Sequence, residues 1–155
     1  MQKKFLFLAA VCLLFAGLSF VHAQTAAELE AVLSDPALSC AQAALFVASS
    51  SPNGGAYAGD GLNEAFALAM ERRWFPKGTE PGEIINMGKL SFLLMKAFDI
   101  KGGLMYRIFP GPRYAFRSMV SKSYIQEAAD PDMKASGEYF LNILGRVIDA
   151  EGGES

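Results

Sequence analysis

Apolar residues recur at helical spacing in two segments of the chain that lie 50 positions apart. Over 65–74, the apolar positions 66, 69 and 70 follow the i, i+3, i+4 pattern of an amphipathic helix. Over 115–124, positions 116, 119 and 120 repeat the pattern. Both segments begin with Ala-Phe and end on an aromatic residue, Trp74 or Tyr124. The pattern predicts two equivalent short helices and an internal repeat.

Each short helix is followed by a loop in which an acidic residue precedes proline. The pairs are Glu80-Pro81 and Asp130-Pro131, and a third pair, Asp35-Pro36, lies nearer the N-terminus. Proline disfavours helix at the residue before it and can itself open the next helix. A second, more apolar helix is therefore predicted after each pair, at 38–49, 86–98 and 135–148.

The predicted second helices open on three similar tetrads. Ser39 with Gln42 fits a capping box, and Asn86 is a favourable N-cap. The third residue of each tetrad is small, as expected where a helix start packs closely on a neighbour. Glycine there costs a helix up to about 1 kcal/mol relative to alanine, which favours close packing as its reason. The tetrads, spaced 47 and 49 residues apart, are Ser39-Cys40-Ala41-Gln42, Asn86-Met87-Gly88-Lys89 and Ala135-Ser136-Gly137-Glu138.

The middle apolar helix is hydrophobic on nearly every side and is expected to form the centre of the core. The third is one-sided, with Phe140, Ile143, Leu144 and Val147 predicted to face inward. The main contributors predicted for the middle helix are Phe92, Leu93, Met95 and Phe98.

The fold class predicted from these elements is all-α. A helix at 26–33, with Leu29, Val32 and Leu33 as its apolar stripe, completes the first of three helix–loop–helix units. The units span about 26–49, 62–98 and 112–149 and pack around a shared core. The Ser-, Gly- and Ala-rich stretch 49–61 is predicted to be a mobile loop, and the tail 151–155 is predicted to be flexible.

A short amphipathic helix, a proline-marked loop and a capped apolar helix, repeated three times, resembles the S-layer homology domain over about 26–149. In that family the second helix opens with Thr-Arg-Ala-Glu, and the arginine helps to hold cell-wall polymer. The corresponding positions here are Cys40, Met87 and Ser136, so the resemblance implies the three-repeat fold without that arginine. Trp74-Phe75-Pro76 is the nearest trace of the family's loop. An unrelated helical bundle with a degenerate duplication is the alternative.

The first 23 residues have the pattern of a secretory signal peptide. Two lysines precede the apolar run 5–21, and Val21 and Ala23 fit a cleavage site before Gln24. A transmembrane anchor, the alternative, normally needs about 20 apolar residues, more than this run has. Lipidation at Cys12 is disfavoured because the apolar run continues past it. We therefore predict an exported protein of the periplasm or cell envelope, with no integral membrane segment after cleavage.

Cleavage would also remove the only histidine, His22, and leave a single cysteine, Cys40. A chain without histidine cannot build a Ser-His-Asp or Cys-His nucleophile, and it lacks the commonest nitrogen ligand of zinc. Cys40 lies in an apolar stretch and is predicted to be a small buried hydrophobe. No phosphate-binding or dinucleotide-binding glycine motif occurs, so no cofactor or metal is predicted.

The mature chain is predicted to carry 12 basic and 16 acidic residues, which disfavours a nucleic-acid partner. Charge is distributed unevenly, because the segment 101–122 has five basic residues and no acidic one. Within it, the stretch 104–109 lies between Gly-Gly and Pro-Gly-Pro, which predicts a short extended segment. The residues predicted to bind a ligand or partner are Lys101, Tyr106, Arg107, Arg113, Tyr114 and Arg117.

Arginine forks beside aromatic faces suit an anionic cell-wall polymer or an acidic envelope protein. Arg113 and Arg117 are four residues apart and are predicted to share a helix face. A turn at Pro110-Gly111-Pro112 could bring Arg107 towards them. The alternative is that these arginines cover apolar surface and pair with neighbouring carboxylates.

The function predicted from the sequence is an exported, non-catalytic cell-envelope module that docks on cell-wall polymer or on an envelope protein. The alternative is a small carboxylate-dependent hydrolase on a helical scaffold, which would need two acids flanking a cleft. The close acidic pairs are Glu80 with Glu83 and Asp130 with Asp132. Both pairs lie beside loop prolines before a helix, where capping and the helix dipole favour acids without catalysis.

Overall fold

The computed structural model of the chain describes residues 26–27, 29–55, 57, 59, 61–126 and 130–151. The predicted signal peptide, 1–23, lies outside the described residues, as does the predicted flexible tail beyond Glu151. The described residues form helices and isolated β-bridges, with no strand among them, so the all-α prediction is confirmed.

The chain divides into two units after Ser34. In the first unit, residues 29–33 are helical, and the Ser34 hydroxyl donates a hydrogen bond to the Glu30 carbonyl at 2.9 Å. Of the apolar stripe predicted there, Val32 is buried, whereas Leu29 and Leu33 are exposed.

The second unit, 35–155, contains six α-helices among its described residues, together with one 3₁₀ turn at Pro52–Gly54. The segment 49–61, predicted to be a loop, thus contains the end of α1 and this turn. The helices are α1 (Cys40–Ser50), α2 (Leu62–Glu71), α3 (Met87–Ala97), α4 (Leu104–Ile108), α5 (Pro112–Ser121) and α6 (Gly137–Glu151).

The three long apolar helices begin at side-chain caps. Ser39 and Gln42 form the predicted capping box at the start of α1, and the Asn86 carboxamide accepts the Lys89 amide at 2.8 Å at the start of α3. At the start of α6 the Ser136 hydroxyl accepts the Tyr139 amide at 3.3 Å. The equivalent residues are therefore 39, 86 and 136.

The predicted start of the third tetrad is consequently one residue too early. Ala135 has no side-chain acceptor, so the cap falls on Ser136 and the second spacing is 50 rather than 49. Gly137 then aligns with Cys40 and Met87. The third position of the last tetrad is therefore Glu138, so the prediction that this position is always small is wrong.

The residues immediately before these caps are joined in a closed ring of backbone hydrogen bonds. The Ile85 amide donates to the Leu38 carbonyl at 2.9 Å, the Leu38 amide to the Ala135 carbonyl at 3.0 Å, and the Ala135 amide to the Ile85 carbonyl at 3.0 Å. All three residues are fully buried. The ring holds the starts of α1, α3 and α6 together, while the superposition of three complete repeat units stays a prediction.

The core lies around α3, as predicted. Phe92, Leu93, Met95 and Phe98 are all buried, with Leu93 fully inaccessible. The most extensive helix contacts join α1 to α2 and α3 to α5. The residues of α6 predicted to face inward, Phe140, Ile143, Leu144 and Val147, are also buried.

The predicted extended segment near 104–109 is wrong, because these residues form the short helix α4. A brief apolar run between glycines and prolines has too few residues to distinguish a strand from a helix by its periodicity. Gly103 adopts an extended conformation at the N-cap, and the amides of Arg107 and Phe109 close helical hydrogen bonds to Gly103 and Met105.

Candidate functional site

An open groove lies between the start of α3, the start of α5 and the loop that follows α5. Its volume is about 520 Å³. We call it the α3–α5 groove. The residues that line it are Asn86, Gly88, Lys89, Pro112, Arg113, Phe116, Arg117, Asp130, Pro131 and Asp132.

One wall of the groove is formed by the first turns of α5. Proline at the first helical position fixes the start of this helix at Pro112. Arg113 and Arg117 then follow one turn apart, and both line the groove, as the spacing predicts. Phe116 is buried and anchors the helix to the core.

A second, acidic wall of the groove is formed by the loop at 130–132. The Asp130 carboxylate accepts the Asp132 amide at 2.8 Å, which closes a tight turn over Pro131. The Pro131 carbonyl accepts the Gly88 amide at 2.8 Å, so the loop is fixed to the start of α3. Asp130 and Asp132 are exposed and line the same groove as Arg113 and Arg117.

Gly88 permits these two walls to approach each other. A Cβ atom at this position would lie 3.2 Å from the Pro131 carbonyl oxygen and 3.3 Å from Cβ of Pro112. The close packing predicted as the reason for this glycine is therefore confirmed. A side chain here would press on both the loop and α5, which would have to shift slightly to accommodate it.

The basic residues of the groove differ in their charge partners. Lys89 forms an ion pair with Glu83, and this hydrogen bond lowers the pKa of Glu83 below its usual range. Within the part of the chain that the structure describes, no carboxylate lies within ion-pair distance of Arg113 or Arg117. The pairing of these arginines with neighbouring carboxylates, the alternative from the sequence, is thus not found among the described residues.

The remaining predicted site residues do not line the α3–α5 groove. Tyr114 lines a separate shallow depression with Ile108 and Phe109. Lys101 is exposed and pairs with Asp99 at 2.7 Å. Arg107 is exposed on α4 and does not line the groove, so the turn at 110–112 does not bring it to Arg113 and Arg117 there.

Tyr106, which the sequence predicts as part of a binding surface, is a core residue. Only 9% of its surface is exposed, and its ring meets Phe92 edge-on with centroids 6.4 Å apart. The ring also lies against Gly102, where a Cβ atom would clash with it. Burial raises the pKa of the Tyr106 hydroxyl to about 12.

The acidic wall of the groove was not predicted as part of the binding site. Asp130 and Asp132 form a close pair whose position before a helix favours a capping role, and nothing local in the sequence connects them to Arg113. The only available signal is the recurrence of the acidic-Pro pair at the same offset as the Ala-Phe helix.

Among the described residues, no group of histidine, cysteine and acidic side chains is arranged to hold a metal ion. No helix in the described ranges has the length and apolar character needed to cross a membrane. In comparisons with known proteins, the chain matches no protein-family model, no curated protein and no solved structure.

Proposed function

We propose that the protein is an exported, non-catalytic cell-envelope module whose α3–α5 groove docks on an anionic cell-wall polymer. The proposal rests on Arg113 and Arg117, whose guanidinium groups lie on one wall of a groove. Neither forms an ion pair with a carboxylate among the residues that the structure describes. Guanidinium groups bind carboxylate and phosphate oxygens through paired hydrogen bonds.

The acidic wall supports a sugar ligand over a simple anion. Asp130 and Asp132 line the same groove as the arginines, and carboxylates accept hydrogen bonds from hydroxyl groups. A simple anion would be repelled by this wall, whereas a charged sugar presents hydroxyls and an anionic group together. The groove therefore suits an acidic polysaccharide whose charged group meets α5 and whose hydroxyls meet the loop.

Binding without hydrolysis is supported by the state of the carboxylates. Glu83 is held ionised by Lys89, which disfavours a role as general acid. The Asp130 carboxylate already accepts the Asp132 amide within a turn. The signal-peptide pattern of 1–23 and the resemblance to the S-layer homology domain support the assignment to the envelope.

The proposal is tested by co-sedimentation of the protein with purified cell-wall sacculi and, separately, with envelope protein extract. We expect sacculi to retain the protein and raised salt to weaken the interaction, because exposed charges are screened. A double variant that combines Arg113→Gln and Arg117→Gln should be retained about tenfold less or weaker still, since each charged hydrogen bond contributes about 1.5–3 kcal/mol.

The matched control combines Lys77→Gln and Lys122→Gln. It removes the same total charge, but from exposed positions outside the groove. The control should bind like the unmodified protein, and both double variants should unfold at nearly the same denaturant concentration. Equal losses in the two variants would show nonspecific attraction. Retention by protein extract alone would assign the groove to an acidic protein partner.

A further inference from the structure

Four large apolar side chains are exposed together on α4 and its C-cap. Leu104 is 70% exposed, Met105 47%, Ile108 56% and Phe109 60%. Positions i, i+1, i+4 and i+5 lie on one side of a helix, so these four residues form a stripe that we call the α4 apolar patch. A contiguous exposed apolar patch on a folded protein marks an interaction surface.

The α4 apolar patch is held outward by contacts beneath the helix. Tyr106, on the opposite side, is buried against Phe92. The Gly103 amide at the helix N-cap donates to the Ser118 hydroxyl of α5 at 3.2 Å. The patch therefore does not belong to a detached segment, and its exposure is a property of the packed helix.

Two basic side chains, Arg107 and Arg113, lie beside the patch. The stretch 100–126 contains five basic residues and no acidic one. Arg107 is exposed within α4, and Arg113 borders the shallow depression of about 470 Å³ that also contains Ile108 and Phe109. Lys101 is paired with Asp99, whereas Arg107 and Arg113 have no ion-pair partner among the described residues.

We propose that the α4 apolar patch inserts into the interface of an anionic phospholipid bilayer. The patch and its depression share only Pro112 and Arg113 with the lining of the α3–α5 groove. Membrane binding through the patch therefore does not depend on polymer binding in the groove. A bilayer interface provides apolar depth and negative headgroups side by side, which are the two chemistries that the patch and its arginines complement. An acidic polymer alone would leave the four apolar side chains in water.

The test is flotation with vesicles of phosphatidylcholine containing phosphatidylglycerol, using protein purified after expression of the full-length chain. The unmodified protein should float with the mixed vesicles, bind pure phosphatidylcholine at least about tenfold more weakly, and dissociate as salt is raised. Every variant carries the same N-terminus as the unmodified protein. Differences between variants therefore report the patch rather than the apolar run 5–21.

The decisive variant combines Leu104→Ser with Phe109→Ser, at two positions where the side chain is mostly exposed. Vesicle binding should fall about tenfold or more, because this apolar area can no longer leave water on binding. The matched control combines Leu62→Ser with Ile148→Ser, which are also partly exposed but lie on α2 and α6. The control should bind vesicles like the unmodified protein.

A second readout places the patch within the lipid. An Ile108→Trp variant should show a blue-shifted emission on adding anionic vesicles, and brominated lipid chains should quench it. Trp74 is the only natural tryptophan and is buried, so its emission should not change. Absence of vesicle binding, equal losses in both double variants, or an unshifted emission spectrum of the Ile108→Trp variant would overturn the proposal. The proposal would also be overturned if the Leu104→Ser, Phe109→Ser double variant still floated with vesicles but was no longer retained by sacculi. That result would assign the patch to the cell-wall polymer.

Discussion

The Ile85 amide donates a 2.9 Å hydrogen bond to the Leu38 carbonyl, although 47 residues separate the two in sequence. Ala135 closes the ring by accepting from Leu38 and donating to Ile85. Each residue of the ring directly precedes the cap of a long helix. The loss of any one bond would therefore disturb the starts of α1, α3 and α6 together.

This ring predicts a pattern of amide hydrogen exchange. The amides of Leu38, Ile85 and Ala135 are buried and depend on one another, so all three should exchange only through global unfolding. The Arg107 amide, in the short exposed helix α4, should exchange through local opening and much faster. Amide hydrogen exchange measured by NMR at increasing denaturant concentration checks this prediction. Different free energies of opening for the three ring amides would contradict it.

A second prediction concerns the centre of the core. Leu93 on α3 is fully buried, and replacement by alanine should reduce the free energy of unfolding by about 2–5 kcal/mol through lost burial and a residual cavity. Asn63→Ala, at an exposed position of α2, is the control and should change stability by about 0.5 kcal/mol or less. Urea unfolding measures both. A small effect at Leu93 would contradict its central position.

A third prediction concerns the end of α5. Ser123 has a left-handed backbone with φ of 63°, and its amide donates to the Val120 carbonyl at 3.0 Å in a Schellman cap. Glycine adopts this conformation without steric cost, so Ser123→Gly should raise the free energy of unfolding by up to about 1 kcal/mol.

Alanine at the same position separates the backbone effect from loss of the hydroxyl. Ser123→Ala should give no gain, because alanine shares the steric cost of the left-handed conformation. Thermal unfolding of the two variants compares them directly. A gain from alanine equal to that from glycine would show that the φ angle is not the cause.

A fourth prediction concerns alkaline pH. Burial, with a smaller contribution from the charge of Glu83, raises the pKa of the Cys40 thiol to about 11, and burial raises the pKa of Tyr106 to about 12. A pKa raised in the folded state means that the unfolded chain loses its proton first. Each group's contribution to the free energy of unfolding is fully present below its ordinary pKa, which is 9.0 for Cys40 and 10.0 for Tyr106. It is lost as pH rises towards about 11 for Cys40 and about 12 for Tyr106.

The free energy of unfolding, measured in urea from neutral pH upwards, should thus decline steeply above the ordinary pKa of cysteine. Cys40→Ala combined with Tyr106→Phe should flatten that decline, although the variant starts from a different stability at neutral pH. Identical slopes in the unmodified protein and the double variant would show that neither group carries the effect.

Local signals in the sequence predicted the features that neighbouring residues determine. The capping box of Ser39 with Gln42 and the shared face of Arg113 and Arg117 depend on spacings of three or four residues. In the apolar stripe predicted for α5, Phe116 and Met119 are buried, whereas Val120 is exposed. The all-α fold and the central position of Leu93 follow from apolar periodicity and density, which are also readable within one helix.

Packing between distant segments determined the rest. The cap at Ser136, the burial of Tyr106 and the helical form of α4 were mispredicted, because each depends on a partner that local sequence does not reveal. The same holds for the acidic wall of the α3–α5 groove. Its acids line the same groove as Arg113 because the start of α3 lies against both α5 and the loop, where Gly88 closely approaches Pro112 and Pro131. Sequence periodicity places a side chain on a face of its own helix, but long-range hydrogen bonds and close packing decide what that face meets.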